Sequence, residues 1–399
     1  MRLTSSFAVF RVQPGEEGLA KARWHGREGH AAEAEQAYRA AIAAEPDLRS
    51  GWLELFELLR RCGRHDDALA LALQAEQHFG PDAAMPRAIK GAALAELGRT
   101  AEAVAALEQA IERDGNLALA WHELAYAAYR AGEYARALLV LDRAFALEPH
   151  TDTLMLRGRI LRAAGQYDAA EVAFEGAQQS AEHDVPRREA EREILATRRA
   201  AALGGKKPGR FTARERAFVT YGTILLDGGS GGLASHGRGE PLAALLARCI
   251  AELTGLAAAM GWQPGGCAAV TAEDEDLAGA LATRFGVPLV RPSALDAQDC
   301  PLIVTAENVG SKEWDRQLGR LERWRCGHAF ALMQDPAAAD TADVVGTLRA
   351  PVGEPSLRQV ARRALALIPS AAAPDDETLA LARNPLARWR TRQQAAPPG

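Results

Sequence analysis

Five glycines impose a spacing that few folds can satisfy. Gly29, Gly63, Gly98, Gly132 and Gly165 recur at intervals of 34, 35, 34 and 33 residues. Five positions after each comes an alanine: Ala34, Ala68, Ala103, Ala137 and Ala170. Four further on is a row of mostly larger side chains, Tyr38, Ala72, Leu107, Leu141 and Phe174. Three beyond that lies a second alanine row, Ala41, Ala75, Ala110, Ala144 and Ala177. Alanines seven positions apart share one helix face, and small side chains there let a neighbouring helix come close. The glycine supplies a left-handed residue, free of the Cβ penalty, at which a preceding helix ends. The chain therefore reads as helix, glycine turn and second helix, five times over. Pro46 and Pro149 stop second helices, and Gly80-Pro81 and Gly115 do so in other units.

A repeat of this length made of helix pairs resembles the tetratricopeptide family. Trp52 and Trp121, 69 residues apart, match the family's tryptophan early in the first helix. The resemblance covers residues 14–184. It departs at Pro86, where a large residue is usual, and at Ala72 in the aromatic row, so looser packing is expected in those two units. Residues 185–203, carrying Arg187, Arg188, Glu189, Glu191, Arg192, Glu193, Arg198 and Arg199, resemble the polar helix that caps such stacks.

In arrays of this family the first helices line a groove. Counting back from each glycine puts Arg23, Arg60, His122, Tyr126, Tyr129, Arg159 and Arg162 on it, with Glu57 and Asp152 as opposing charges. Arginine beside tyrosine suits peptide recognition, because a rigid ring offers area at low entropic cost and a guanidinium forks onto carboxylates. The competing account has the tyrosines filling core between repeats. The asparagine–lysine set with which chaperone-binding members clamp a terminal carboxylate is missing from the groove, so no chaperone partner is expected.

Composition narrows the class. With 48% apolar and 25% charged residues, 399 residues suit two globular domains. A net charge of −5 implies no bulk affinity for nucleic acid or anionic membrane. The five cysteines, Cys62, Cys249, Cys267, Cys300 and Cys326, form no CxxC pair and read as ordinary thiols rather than zinc ligands or a disulfide framework. The N-terminus shows no signal-peptide pattern and no window reaches the roughly 18 apolar residues of a membrane span, so a cytoplasmic protein is expected.

Beyond a Gly/Lys/Pro linker at 204–210 the rhythm changes. Residues 218–226 (FVTYGTILL), 267–271, 287–290, 302–306, 329–333 and 344–348 read as strands, and 242–260, 274–285, 312–325 and 356–367 as helices. Strands alternating with crossover helices imply a mostly parallel sheet covered on both faces. The expected class is thus α plus α/β: a repeat solenoid over 14–203, then a three-layer α/β domain over 211–369. A proline- and arginine-rich tail follows at 370–399.

In this second half Cys267 to Val290, and the loop Ala306-Glu307-Asn308-Val309-Gly310-Ser311-Lys312, loosely resemble type I phosphoribosyltransferases. Only Glu307 matches that family's acidic pair, and Asn308 stands in the other place. Glu273-Asp274-Glu275-Asp276 occupies the loop that would hold pyrophosphate, and carboxylates there repel it. Their structural account is stabilisation of the positive end of the next helix. The Gly-rich 227–232 segment, with Ser235, His236 and 237–239, lacks both the P-loop ending and GxGxxG spacing. His328 with Asp335 is a thin metal candidate, a lone histidine at a strand start being more often structural. The function expected is a scaffold that holds a protein or peptide, with a non-catalytic α/β module, no cofactor and no metal. The alternative is an enzyme for a phosphorylated small molecule recruited by its repeats.

Overall fold

The computed structural model describes residues 14–226, 240–295, 300–308, 311–324, 327–334, 342–348, 364–368 and 373–388. The chain divides into two compact units, Met1–Ala190 and Glu191–Gly399.

The first unit is built from helix pairs: α1 (Pro14–Arg27) with α2 (Ala31–Ala44), α3 (Arg49–Arg61) with α4 (His65–Phe79), and α5 (Ala84–Glu96) with α6 (Thr100–Arg113). Then come α7 (Ala118–Arg130) with α8 (Tyr134–Leu147) and α9 (Thr151–Ala163) with α10 (Tyr167–Ser180). The helix α11 (Asp184–Ala201) follows and crosses the division between the units. Each of the five spaced glycines has a positive φ, from 70° to 81°. The residue after each glycine donates its N–H back five positions, His30 to His25, Arg64 to Leu59, Arg99 to Leu94, Glu133 to Ala128 and Gln166 to Leu161, at 2.9–3.0 Å. That is the Schellman closure, which satisfies a carbonyl the helix end would otherwise leave bare.

Both alanine rows are buried throughout, none more than 1% exposed. The larger row sits between them, with Leu107, Leu141 and Phe174 fully enclosed. The tight fit shows at Gly158, where a Cβ would lie 2.6 Å from the Phe174 ring, and at Gly91, where it would lie 2.5 Å from Leu107. Trp52 donates to Pro46 O at 2.8 Å and Trp121 to Gly115 O at 2.9 Å, each tying a first helix to the preceding turn. In the third unit Arg87 makes the same bond, to Pro81 O at 2.9 Å. Counted from the glycine, the tryptophan's place is therefore Arg87 and not Pro86. Pro86 is buried in the first turn of α5, where its missing N–H has no intrahelical partner to lose. Ala72 is buried in one cluster with Trp52 and Phe56.

The second unit contains α12 (Ala213–Tyr221), β1 (Ile224–Leu225), α13 (Glu240–Ala259), β2 (Cys267–Ala269), α14 (Glu275–Phe285), β3 (Leu302–Asn308), α15 (Lys312–Trp324), β4 (His328–Gln334), β5 (Val344–Leu348) and α16 (Asp376–Arg383). The strands form one parallel sheet in the order β1-β5-β4-β3-β2. Side chains alternate across it as the strand period demands. Cys267, Ala269, Leu302, Val304, Phe330 and Leu332 join the core under α13 and α14, whereas Ala268, Ile303, Ala329 and Ala331 join that under α15. The class is α plus α/β, as expected.

Two strand assignments need correction. Residues 218–221 belong to α12, because Thr212 and Glu215 form a reciprocal capping box that starts a helix and Gly222, at φ 73°, ends it. The caps outweigh the β preference of Phe218, Val219 and Tyr221. Residues 287–290 contribute one parallel bridge, Leu289 to Cys267, rather than a full strand. The 356–367 helix falls mostly outside the described residues.

Candidate functional site

The first helices of the repeats stack side by side, and α5 is the thinnest of them. Ala88, Ala92 and Ala95 are small and buried on it, so the helices on either side can reach each other past it. Arg60 on α3 donates to Glu123 on α7 at 2.9 Å, 63 residues along the chain. Around this bridge lies a cleft of about 390 Å³, inside the usual range of roughly 300–1,000 Å³ for ligand pockets. Its apolar floor is Leu53, Phe56, Ile89 and Leu119; its polar lining includes Glu57, His122, Glu148, His150 and Asp152.

The electrostatics follow from burial. Glu123 is 3% exposed. Its Oε1 takes the Arg60 bond, while Oε2 is enclosed with no hydrogen-bond partner among the described residues. Arg60 also pairs with Glu57 at 3.1 Å. Burial would lower the Arg60 pKa, but Glu123 and Glu57 outweigh it and hold it above its ordinary value. Burial pushes the Glu57 carboxyl up, against the pull of Arg60 and with a further push from Glu123. Burial also lowers the His122 imidazole, with Glu123 opposing and Arg60 adding to the effect.

Two of the seven residues expected on the groove, Arg60 and His122, line this cleft, together with the opposing charges Glu57 and Asp152. Tyr126 and Tyr129 lie on the same helix as His122 and run into an aromatic file with Tyr134, at 6.4 and 6.2 Å between rings. Tyr126 is half-buried; its hydroxyl accepts from Arg130 at 3.2 Å, and the Arg130 guanidinium sits 5.9 Å over the ring. Tyr129 packs against the core of α7, α8 and α9. Arg23 donates from Nε and Nη2 to the two carboxylate oxygens of Glu54, at 2.8 and 2.6 Å. Arg159 bonds Glu189 at 2.6 Å, and Arg162 stacks 5.4 Å over Phe174.

Counting groove positions missed Glu123, which falls one place off the register, and the apolar floor. A signal was available: Glu123 is the one acid in α7, flanked by apolar residues on the side that packs.

In the second unit the sheet has a switch point between β2 and β3. From β2 the chain passes through α14 to Leu289, on the side of Cys267 away from Leu302, whereas from β3 it passes through α15 to β4 in the other direction. Ligands of such sheets sit at this point, beyond the strands' C-terminal ends. Asp274 stands there, 1% exposed. Its Oδ1 accepts Ala306 N–H at 2.9 Å, and its Oδ2 accepts Thr271 N–H and Oγ1–H at 3.1 and 2.9 Å. Of the four acids expected to crown α14, Asp274 is thus an internal tie, while Glu275 and Asp276 are exposed in its first turn and Glu273 is exposed in the short turn before it. His328 is buried with its ring edge-on to Trp262 at 4.5 Å, and its Nδ1 lies 3.6 Å from Asp343. Asp335, the 227–239 segment, Val309, Gly310 and Cys326 lie outside the described residues. Among the described residues no helix is long and apolar enough to cross a membrane, and no group of three His, Cys, Asp or Glu side chains is placed to hold a metal.

A search of curated proteins finds no match. Solved structures of similar shape include a thermophilic TPR protein of Thermus thermophilus, at 17% identity over 45% of this chain and 99% of that one, with a TM-score of 0.40. Yeast Tom70 is similar at 17% identity over 47% of this chain and 39% of its own, TM-score 0.36. A tetratricopeptide repeat protein of Parabacteroides merdae is similar at 18% identity over 52% and 80%, TM-score 0.32. The tetratricopeptide repeat family matches residues 53–118, 89–150 and 122–184. With glycine-closed hairpins of one design from α1 through α10, the first half of this chain is a tetratricopeptide repeat array.

Proposed function

We propose that the chain is a scaffold whose repeat array holds a protein or peptide partner in the cleft across α3, α5 and α7. The observation that carries this is the cleft's construction. An apolar floor from three successive first helices is rimmed by charged groups, the arrangement that gives area at the centre and orientation at the edge. Protein and peptide binding is the general role of tetratricopeptide arrays, and Arg60, His122 and the neighbouring Tyr126 are the residues chosen for contact. Tyr129, Arg23, Arg159 and Arg162, outside the cleft, are further contacts in this reading, for a partner that runs along the other first helices.

The second unit serves as a folded, non-catalytic module. Asp274 supports that role: a carboxylate that spends three acceptor bonds on its own backbone and Thr271 fills the place an anionic ligand takes in related sheets.

Leu119→Glu tests the proposal. Leu119 is half-buried in the floor, at the edge of two apolar clusters, so the change charges the cleft and circular dichroism is needed to show that the fold survives. Affinity capture by the full chain should lose its partner with this variant and keep it with Leu139→Glu, which alters an exposed face of α8. Equal capture by both, with unchanged circular dichroism, would contradict it.

A further inference from the structure

The cleft's charge points to the partner's chemistry, granted the partner-holding role proposed above. Four carboxylates, Glu57, Glu123, Glu148 and Asp152, line it against one guanidinium, Arg60. With the carboxyls counted ionised and the histidines neutral, −4 + 1 leaves −3 among the described residues, and burial, which pushes the Glu57 carboxyl up, trims that surplus. Burial keeps His122 from adding positive charge near neutral pH. The internal pairing is incomplete as well. Arg60 answers Glu57 and one oxygen of Glu123, and the second Glu123 oxygen is enclosed without a hydrogen-bond donor among the described residues. A carboxylate oxygen withdrawn from water and left unpaired is costly, and a donor brought by a ligand removes that cost. Such a donor must be cationic to relieve the surplus negative charge, and must carry an apolar stem to lie along Leu53, Phe56, Ile89 and Leu119.

We infer that the cleft receives a lysine or arginine side chain from a partner peptide, its stem on the apolar floor and its charged head turned to Glu123, with Glu57 and Asp152 at the rim. Long basic side chains behave in this way, burying the stem and leaving the head with an acid. Reaching the enclosed oxygen requires the Arg60 side chain to swing aside, and Arg60 is 26% exposed and therefore has room to do so. Glu57 then keeps Arg60 paired.

Selection of a random peptide library displayed on phage, against the intact protein, tests this. Recovered peptides should be enriched in lysine or arginine at one position. Their binding to Glu123→Gln, measured by fluorescence anisotropy, should weaken at least tenfold. The rim variant Glu57→Gln/Asp152→Asn leaves the buried carboxylate in place, keeps the test valid should Glu123→Gln fold poorly, and should weaken binding and flatten its salt dependence. Peptides that lose binding with Leu119→Glu but carry no basic residue, or are rich in acids, would overturn the inference while leaving the scaffold reading intact. Peptides indifferent to Leu119→Glu would overturn both. Enrichment of sequences matching this chain's own arginine run at 383–392 would make the chain its own occupant and overturn the partner peptide.

Discussion

The Arg60 guanidinium and the Glu123 carboxylate meet at 2.9 Å across the width of α5, joining the second repeat to the fourth. No regular neighbour-to-neighbour packing calls for this bond; it exists because the alanines of α5, Ala88, Ala92 and Ala95, leave room for it. It sits in the wall of the cleft, and the cleft's stability and chemistry both turn on it.

Arg60→Met should expose what that bond contributes. Glu123 would be left as a buried carboxylate without its cation, at a cost of about 2 kcal/mol once Arg60's partial exposure is allowed for. Arg60→Met/Glu123→Leu should regain most of the loss, since an apolar pair replaces an ion pair there. Thermal melts followed by circular dichroism check both. A single variant as stable as the parent would show the bond to be unimportant.

Two glycines in the fifth repeat should respond in opposite directions. A Cβ at Gly158 would meet the enclosed Phe174 ring at 2.6 Å, so Gly158→Ala should destabilise by about 1–3 kcal/mol through overpacking. At Gly176, in the middle of α10, a Cβ would meet only Leu154 at an ordinary 3.6 Å. Gly176→Ala should therefore stabilise by about 0.5–1 kcal/mol, the gain in helix propensity. Denaturant midpoints of the two variants decide it.

These contrasts mark how far the sequence could be read. The array was legible because its constraint is periodic: glycine closure and alanine contact recur at fixed offsets, and every one of those positions folds as the offsets require. The large residue expected at Pro86 is found one place on: the second interval is 35 residues rather than 34, and the glycine gives the register that Arg87 obeys. The strand expected at 218–226 survives only as Ile224–Leu225, and its first part failed for a different reason. Its β-forming side chains sit between a capping box at Thr212 and a left-handed Gly222, and those end signals decide the helix. The cleft was half legible. Arg60 and His122 follow from position, but Glu123 joins through a contact 63 residues away, which no local pattern encodes.

His122 predicts a pH dependence. Its pKa in the folded chain lies below the ordinary 6.5, mainly because burial penalises the imidazolium. A histidine depressed in this way contributes stability that is fully present above about pH 6.5 and is lost as pH falls toward the folded-state value. The limiting slope is about 1.4 kcal/mol per pH unit for one proton. The groups that modulate it are Glu123 and Asp152, which favour the charged ring, and Arg60 and His150, which disfavour it. Replacing it with glutamine, His122→Gln, should flatten the stability curve as pH falls below about 6.5, relative to the parent. Parallel curves would show that His122 does not titrate as its burial implies.

The cleft's role as the place where a partner is held can be measured by photocrosslinking. A benzoylphenylalanine introduced at position 119, in the cleft floor, is compared in cells with one at position 139, on the exposed face of α8. Crosslinked species that appear with the probe at 119, vanish when Glu57→Gln/Asp152→Asn is added, and stay absent with the probe at 139 are the predicted result. Crosslinks at 139 with none at 119 would contradict it.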